Sequence, residues 1–92
     1  MSHPDFENIG TPETLVIEEC SELIVELGRL TQALCKVDRF GYFNRYPKDA
    51  PTNMQNVLSA ISAVDRELED VDKAMSKLKL RMQELCRLEE EG

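Results

Sequence analysis

Apolar residues recur at helical spacing along two long stretches of the chain, with steps that alternate between four and three residues. This period predicts two amphipathic helices, at residues 12–39 and 52–88, and the alternating steps favour near-antiparallel packing as in a helical bundle. The two apolar stripes consist of Val16, Cys20, Leu23, Leu27, Leu30, Leu34 and Val37 in the first helix and of Val57, Ile61, Val64, Leu68, Val71, Met75, Leu78, Met82 and Leu85 in the second.

Local signals predict where these helices begin and end. Thr11 supplies a hydroxyl N-cap ahead of Pro12, which suits the first turn of a helix, and Thr52 supplies the cap of the second helix. Residues 40–51 contain one glycine and two prolines, so they are predicted to form a loop. Residues 1–10 are predicted to form an irregular N-terminal arm.

Two helices by themselves cannot enclose a core, because one edge of each apolar stripe stays open to water. We therefore predict an all-α fold in which residues 1–92 form a single domain, a long antiparallel helical hairpin that assembles into a four-helix bundle by self-association. A homodimer or a homotetramer satisfies this requirement. Residues 79–92 extend beyond the first helix and are apolar in part, so they need either the arm, with Phe6 and Ile9, or another chain as a partner.

The charge balance argues against several classes of partner. The chain has 11 basic and 18 acidic side chains and a net charge of −7, which argues against binding of duplex nucleic acid or of an anionic membrane surface. No apolar run approaches the roughly 18 residues that a membrane span needs, and no signal-peptide pattern is present, so we expect a cytoplasmic protein. Three widely spaced cysteines and a single histidine, His3, form no pattern for a zinc site or a Cys–His nucleophile.

Acidic residues mark one edge of each predicted helix. Glu19 and Glu22 are three residues apart beside the first apolar stripe. Glu67 and Asp70 have the same spacing beside the second stripe. Side chains at this spacing are neighbours on a helix surface. The predicted helix ends set the two pairs level with each other, so we expect them to face each other across the hairpin.

Four carboxylates at one level repel one another, which favours protonation, exposure to water or cation binding. Their oxygen atoms suit Mg²⁺, with Mn²⁺ as the alternative metal. The alternative interpretation is a solvated acidic face that binds nothing. Among the neighbouring acids, Glu26 lies on the same edge by helical phase, whereas Glu18 points away from the stripe.

The predicted loop differs in charge from the rest of the chain. Residues 36–48 carry four basic side chains against the single acid Asp38, together with several aromatic rings. Such groups can bind phosphate and stack on a nucleobase. Alternatively, the rings cap the end of the bundle and the cations are merely exposed. The basic residues are Lys36, Arg39, Arg45 and Lys48, and the aromatic residues include Tyr42, Phe43 and Tyr46.

In combination these features resemble the MazG-like all-α NTP pyrophosphohydrolases and their dimeric dUTPase relatives. The stretch Glu18-Glu19-Cys20-Ser21-Glu22-Leu23 is similar to the family's ExxE motif, and Glu67-Leu68-Glu69-Asp70 is similar to its ExxD motif. Small, often phage-encoded members share a Lys-x-x-Arg-Phe-Gly stretch, here Lys36-Val37-Asp38-Arg39-Phe40-Gly41, and a Thr-Asn pair, here Thr52-Asn53. The resemblance covers approximately residues 11–75.

The resemblance implies hydrolysis of a nucleoside triphosphate, (d)NTP, to (d)NMP and pyrophosphate. It implies that Mg²⁺ is held by Glu19, Glu22, Glu67 and Asp70, and that Glu26 or Glu18 orients the attacking water, with Glu26 favoured by phase. It also implies contacts to phosphate or base from Lys36, Arg39, Asn53 and Asn56, supplied by either chain of a dimer.

The chain departs from the family pattern in that each acidic pair lies about two helical turns further from the loop. One added heptad in each helix keeps the pairs level and on the same edge. In the shorter register the second pair would fall on Ala60 and Ala63, and the site would be empty. The alternative function is a non-catalytic helical-hairpin interaction module, which the heptads and the extended C-terminus favour.

Overall fold

The computed structural model describes residues 10–45 and 47–92. Two long helices make up most of this part of the chain: α1, Pro12–Phe40, and α2, Asn53–Glu91. They pack against each other as an antiparallel hairpin, and the described residues contain no β-strand. The predicted all-α hairpin is confirmed, with helix ends that lie within three residues of the predicted limits. Assembly into a four-helix bundle stays a prediction.

Parts of the predicted arm and loop lie outside the described residues. They include His3, Phe6 and Ile9 of the arm and Tyr46 of the loop. The expectation that either the arm or another chain covers the end of α2 therefore stays a prediction.

Short-range hydrogen bonds fix where each helix begins. The Thr11 hydroxyl accepts a hydrogen bond from the backbone N–H of Thr14 at 3.1 Å, and Pro12 occupies the first turn of α1. At α2, the Thr52 hydroxyl accepts from the Gln55 N–H, and the Gln55 side chain accepts from the Thr52 N–H at 2.8 Å. This capping box satisfies two backbone donors that the helix itself leaves without partners. Both predicted N-caps are confirmed.

The turn between the helices is held by the first residues of α2. Gly41 follows α1 with a φ of 83°, which glycine adopts without steric cost. The buried Asn53 side chain donates a hydrogen bond from Nδ2 to the Gly41 carbonyl at 2.9 Å. The backbone N–H groups of Asn53 and Met54 donate to the carbonyls of Asn44 and Tyr42. Asn53 thus connects the start of α2 to the end of α1 at the closed end of the hairpin.

The buried core is narrower than the predicted stripes. Val57, Val64 and Val71, spaced one heptad apart on α2, are buried together with Ala74, whereas no residue of α1 is buried to the same degree. Five other members of the stripes within the hairpin remain between 42% and 49% exposed, namely Leu27, Leu34, Ile61, Leu68 and Met75. At about 100° per residue these side chains share one side of the hairpin, and the acidic edges lie on the other. We call this side the apolar face: Leu27, Leu34, Ile61, Leu68 and Met75.

The second helix continues past the start of the first. Arg81 Nε donates to Glu13 Oε2 at 2.8 Å, so these two residues mark where the hairpin ends. Residues 82–91 of α2 extend beyond this point, and their apolar side chains Met82, Leu85 and Leu88 are about half exposed. Within the described residues, neither helix has a stretch that is long and apolar enough to span a membrane.

Replacement of Asn53 by alanine should lower the free energy of unfolding by about 1–3 kcal/mol, because it removes the donor to the buried turn. Thermal unfolding followed by circular dichroism at fixed protein concentration measures this. Asn56→Ala is the matched control, since Asn56 is an exposed amide one turn further along α2. Equal melting temperatures for the two variants would contradict the role of Asn53.

Candidate metal centre and adjoining grooves

The hairpin brings the two acidic pairs together at one level. Carboxylate oxygens of Glu19, Glu67 and Asp70 lie within 4.8 Å of one another. Glu22 lies close enough to them for its negative charge to raise the pKa of both Glu19 and Glu67. We call these four residues the acidic cluster. The convergence predicted from the helix ends is therefore present, while metal binding stays a prediction.

Packing of α2 against α1 explains why these side chains converge. Glu67 lies three residues after Val64 and four before Val71, so it shares their side of the helix and is only partly exposed. Asp70 lies four residues before Ala74, which is 1% exposed. The small apolar residues on the buried side of α2 thus fix the rotation of this helix about its own axis, and this rotation turns both acids toward α1.

Desolvation and mutual repulsion raise the pKa values of two carboxyl groups in the cluster. For Glu19 the largest cause is desolvation, followed by the negative charges of Glu22, Asp70 and Glu67. For Glu67 desolvation again comes first, and Glu22, Asp70 and Glu26 add negative charge. A hydrogen bond with Glu22 further favours the protonated form of both groups. The cluster therefore holds more negative charge than its surroundings stabilise, a condition that a bound cation relieves.

The donor set fits a divalent cation. Within the part of the chain that the structure describes, no lysine or arginine forms an ion pair with the acidic cluster. The Oε2 atom of Glu67 is buried and accepts no hydrogen bond from any described residue. A buried carboxylate oxygen without a donor is unfavourable unless a proton or a cation binds it. Several carboxylate oxygens in close proximity are the ligands that Mg²⁺ and Mn²⁺ prefer.

Of the two candidates for orienting a water molecule, the structure brings only Glu26 close to the acidic cluster. Its Oε1 accepts a hydrogen bond from Arg29 Nη1 at 2.7 Å, and its side chain is 16% exposed. Its charge also contributes to the raised pKa of Glu67. Glu18, in contrast, is exposed and lines neither of the two grooves beside the cluster.

A groove of about 330 Å³ adjoins the cluster on the side of the loop, and we call it the loop-side groove. Glu26 lies at the end nearest the cluster. Small apolar side chains of both helices line it, together with amide and cationic groups. These residues are Ala33, Ala60 and Ala63, the amides Gln32 and Asn56, and the cations Arg29 and Lys36. Two of the alanines occupy the positions where the shorter register would require acids, and they leave open space there.

A second groove of about 280 Å³ adjoins the cluster on the side of the C-terminus, and we call it the tail-side groove. Glu19 and Asp70 belong to its lining. Lys73 and Lys77, which follow Asp70 by three and seven residues, line it as well. The sequence motifs described above do not include these two lysines. Their spacing from Asp70 is the signal that could have identified them, since it sets all three on one helix edge.

The predicted substrate contacts fall into two groups in the structure. Lys36 and Asn56 line the loop-side groove. Arg39 is exposed and lines neither groove, and the amide of Asn53 is engaged with the Gly41 carbonyl in the turn. The structure thus brings Lys36 and Asn56 toward the acidic cluster and gives Asn53 a structural role. Contacts of any of the four with substrate stay predictions.

Comparison of the chain with models of protein families, with curated protein sequences and with solved structures found no match. The case for the MazG-like family therefore depends on the motifs and the geometry described above.

Stability should depend on pH through the acidic cluster. Because the native pKa of Glu19 is raised above its ordinary value of 4.5, the native state binds more protons than the unfolded chain just above that pH. The free energy of unfolding should then fall as the pH rises through this window. Relative to wild type, Glu19→Gln should raise the melting temperature at neutral pH in chelator-treated buffer and lose this advantage near pH 4.5.

The matched control for this measurement is Glu69→Gln, because Glu69 is exposed and lies outside the cluster. Thermal melts of the three proteins across the acidic range give the comparison. A Glu19→Gln variant whose melting temperature follows that of Glu69→Gln at every pH would contradict repulsion within the cluster.

Proposed function

We propose that this protein is a metal-dependent nucleoside triphosphate pyrophosphohydrolase of the MazG-like type, which converts (d)NTP to (d)NMP and pyrophosphate. The observation that carries the proposal is the acidic cluster, in which carboxylates from two helices meet without a cationic partner among the described residues. The ExxE and ExxD spacing of these carboxylates supports it further. The heptad added to each helix leaves the two pairs opposed, as the family resemblance requires.

The proposed ligands of Mg²⁺, or of Mn²⁺ in its place, are Glu19, Glu22, Glu67 and Asp70. Each offers hard oxygen atoms, and the buried Oε2 of Glu67 has no other partner among the described residues. When bound, the metal would neutralise phosphate charge and lower the pKa of the attacking water.

The proposed reaction is attack of water on the α-phosphorus. A bond forms between the water oxygen and this phosphorus, and the bond to the oxygen that bridges the α- and β-phosphates breaks. The electron pair of the broken bond leaves with pyrophosphate. Glu26 is the candidate that orients the water and accepts its proton, because Arg29 holds one carboxylate oxygen and leaves the other available.

The loop-side groove is the proposed site of substrate contacts near the cluster. Lys36 supplies a cation and Asn56 supplies an amide that can bond to phosphate or base. Arg39 and Asn53 remain further candidates from the family resemblance, supplied by the same chain or by its partner. Nucleoside triphosphates are cytoplasmic metabolites, so the proposed function agrees with the expected cytoplasmic location.

A homodimer or homotetramer is part of the proposal. The apolar face of one hairpin exposes side chains that two helices cannot cover, and a four-helix bundle buries such a face against a second copy. Because the acidic edges lie on the opposite side, assembly through the apolar face leaves both grooves accessible to substrate.

Sedimentation equilibrium should give a mass that is two or four times that of the 10.5 kDa chain. Leu27→Glu should shift the protein toward monomer, because it sets a charge in the middle of the apolar face. Val25→Glu is the control, since Val25 is also exposed but lies on another side of α1 by helical phase. A folded wild-type monomer at micromolar concentration would contradict the assembly.

Removal of one proposed ligand should abolish most turnover. Asp70→Asn and Glu19→Gln should each lower kcat by about two orders of magnitude or more, because a lost ligand removes stabilisation of the transition state. Lys36→Ala should chiefly raise KM. Pyrophosphate release from a panel of NTPs and dNTPs, with and without Mg²⁺, measures these effects. Glu69→Gln is the matched control and should retain wild-type activity.

The second candidate function is a non-catalytic helical-hairpin interaction module. The apolar face and the exposed Met82, Leu85 and Leu88 of the α2 extension favour it, because both surfaces suit a partner helix. Such a module has no need for four opposed carboxylates. Absence of metal-dependent pyrophosphate release from every nucleotide of the panel would discard the hydrolase and favour the module.

A further inference from the structure

The two grooves that flank the acidic cluster differ in their chemistry. The tail-side groove carries two lysines, Lys73 and Lys77, and its acids Glu19 and Asp70 are both proposed metal ligands. Neither lysine forms an ion pair with a carboxylate of the described residues. The groove therefore presents two lysines that form no ion pair within the described residues, immediately beside the cluster.

Helix geometry directs these lysines toward the cluster. In an α-helix every Cα–Cβ bond tilts toward the N-terminus, and long side chains lie over the preceding turn. Lys73 and Lys77 lie on the C-terminal side of Asp70, so their stems lean toward it. Both ammonium groups can therefore approach a ligand that extends from the cluster into the tail-side groove.

The loop-side groove offers a different environment. The charge of Arg29 is balanced there by Glu26, with which it forms an ion pair at 2.7 Å, so Lys36 is the one cation that no described acid balances. The remaining lining consists mainly of alanines and of the amides Gln32 and Asn56. An apolar groove with a few amide groups suits a nucleobase and sugar better than it suits a highly charged anion.

From this difference between the grooves we propose that the substrate binds along the hairpin in a single orientation. Its β- and γ-phosphates lie against Lys73 and Lys77, and its nucleoside lies in the loop-side groove. The inference rests on the proposed pyrophosphohydrolase function and adds two residues to it. The α-phosphate then lies at the acidic cluster, between the grooves. The pyrophosphate that leaves carries most of the charge, and the two lysines bind it through charge-assisted hydrogen bonds.

Isothermal titration of the 92-residue chain with inorganic pyrophosphate in the presence of Mg²⁺ tests this orientation. Each charge-assisted hydrogen bond contributes enough that the variant Lys73→Ala/Lys77→Ala should bind pyrophosphate about tenfold or more weakly than wild type. Lys79→Ala is the matched control on the same helix, because Lys79 is exposed and lines neither groove. It should bind like wild type. Lys36→Ala should also bind pyrophosphate like wild type.

The outcomes separate this inference from the proposed function. Unchanged pyrophosphate affinity in Lys73→Ala/Lys77→Ala, with a loss in Lys36→Ala, would reverse the direction of the substrate. A wild type that hydrolyses nucleotides but binds no pyrophosphate would overturn the inference and leave the function standing. A wild type that neither binds pyrophosphate nor hydrolyses any nucleotide would overturn both. Circular dichroism of each variant confirms that it is folded.

Discussion

Four carboxylates held at one level of this hairpin repel one another, and the proposed metal site follows from that repulsion. Val64, Val71 and Ala74 fix the rotation of α2 against α1, and that rotation turns Glu67 and Asp70 toward the acidic edge of α1. The side chains cannot all move into water without losing the partial burial that this packing imposes. The pKa of Glu67 is raised as a result, because desolvation and neighbouring charges both disfavour its ionised form. A bound divalent cation would remove this cost, and the proposed hydrolase would use that cation in its reaction.

The acidic cluster and the apolar face lie on separate sides of the hairpin. Polar chemistry occupies one side, where the acidic cluster lies between two grooves. The other side exposes the apolar face, which suits a second copy of the chain. Because the two sides do not overlap, the proposed bundle would leave the acidic cluster and both grooves accessible to the proposed nucleotide substrate. The same separation would let a non-catalytic relative keep its partner surface after the loss of the acids.

Local patterns in the sequence predicted most of the fold. The alternating steps predicted both helices, and Thr11 and Thr52 predicted where they begin. The convergence of the acidic pairs followed from helix ends and phase, because two straight antiparallel helices leave little freedom in which residues are level. The narrowness of the buried core could not be predicted from the sequence. Periodicity shows which side of a helix is apolar, but it does not show which residues of that side lie on the line of closest contact between the helices. Ile61 and Leu68 are therefore half exposed, although they belong to the predicted stripe.

The features that the sequence did not predict depend on three-dimensional detail. The hydrogen bond from Asn53 to the Gly41 carbonyl requires the particular path of the turn, which no local motif specifies. Lys73 and Lys77 are brought together with Glu19 and Asp70 by a groove beside Asp70, and such a groove depends on the side chains of both helices. Binding of Mn²⁺ to the acidic cluster can be measured directly by electron paramagnetic resonance. We expect saturable binding by the wild type, strongly weakened binding by Glu67→Gln and unchanged binding by Glu69→Gln. Equal binding by all three proteins, or none by the wild type, would contradict a metal site at the acidic cluster.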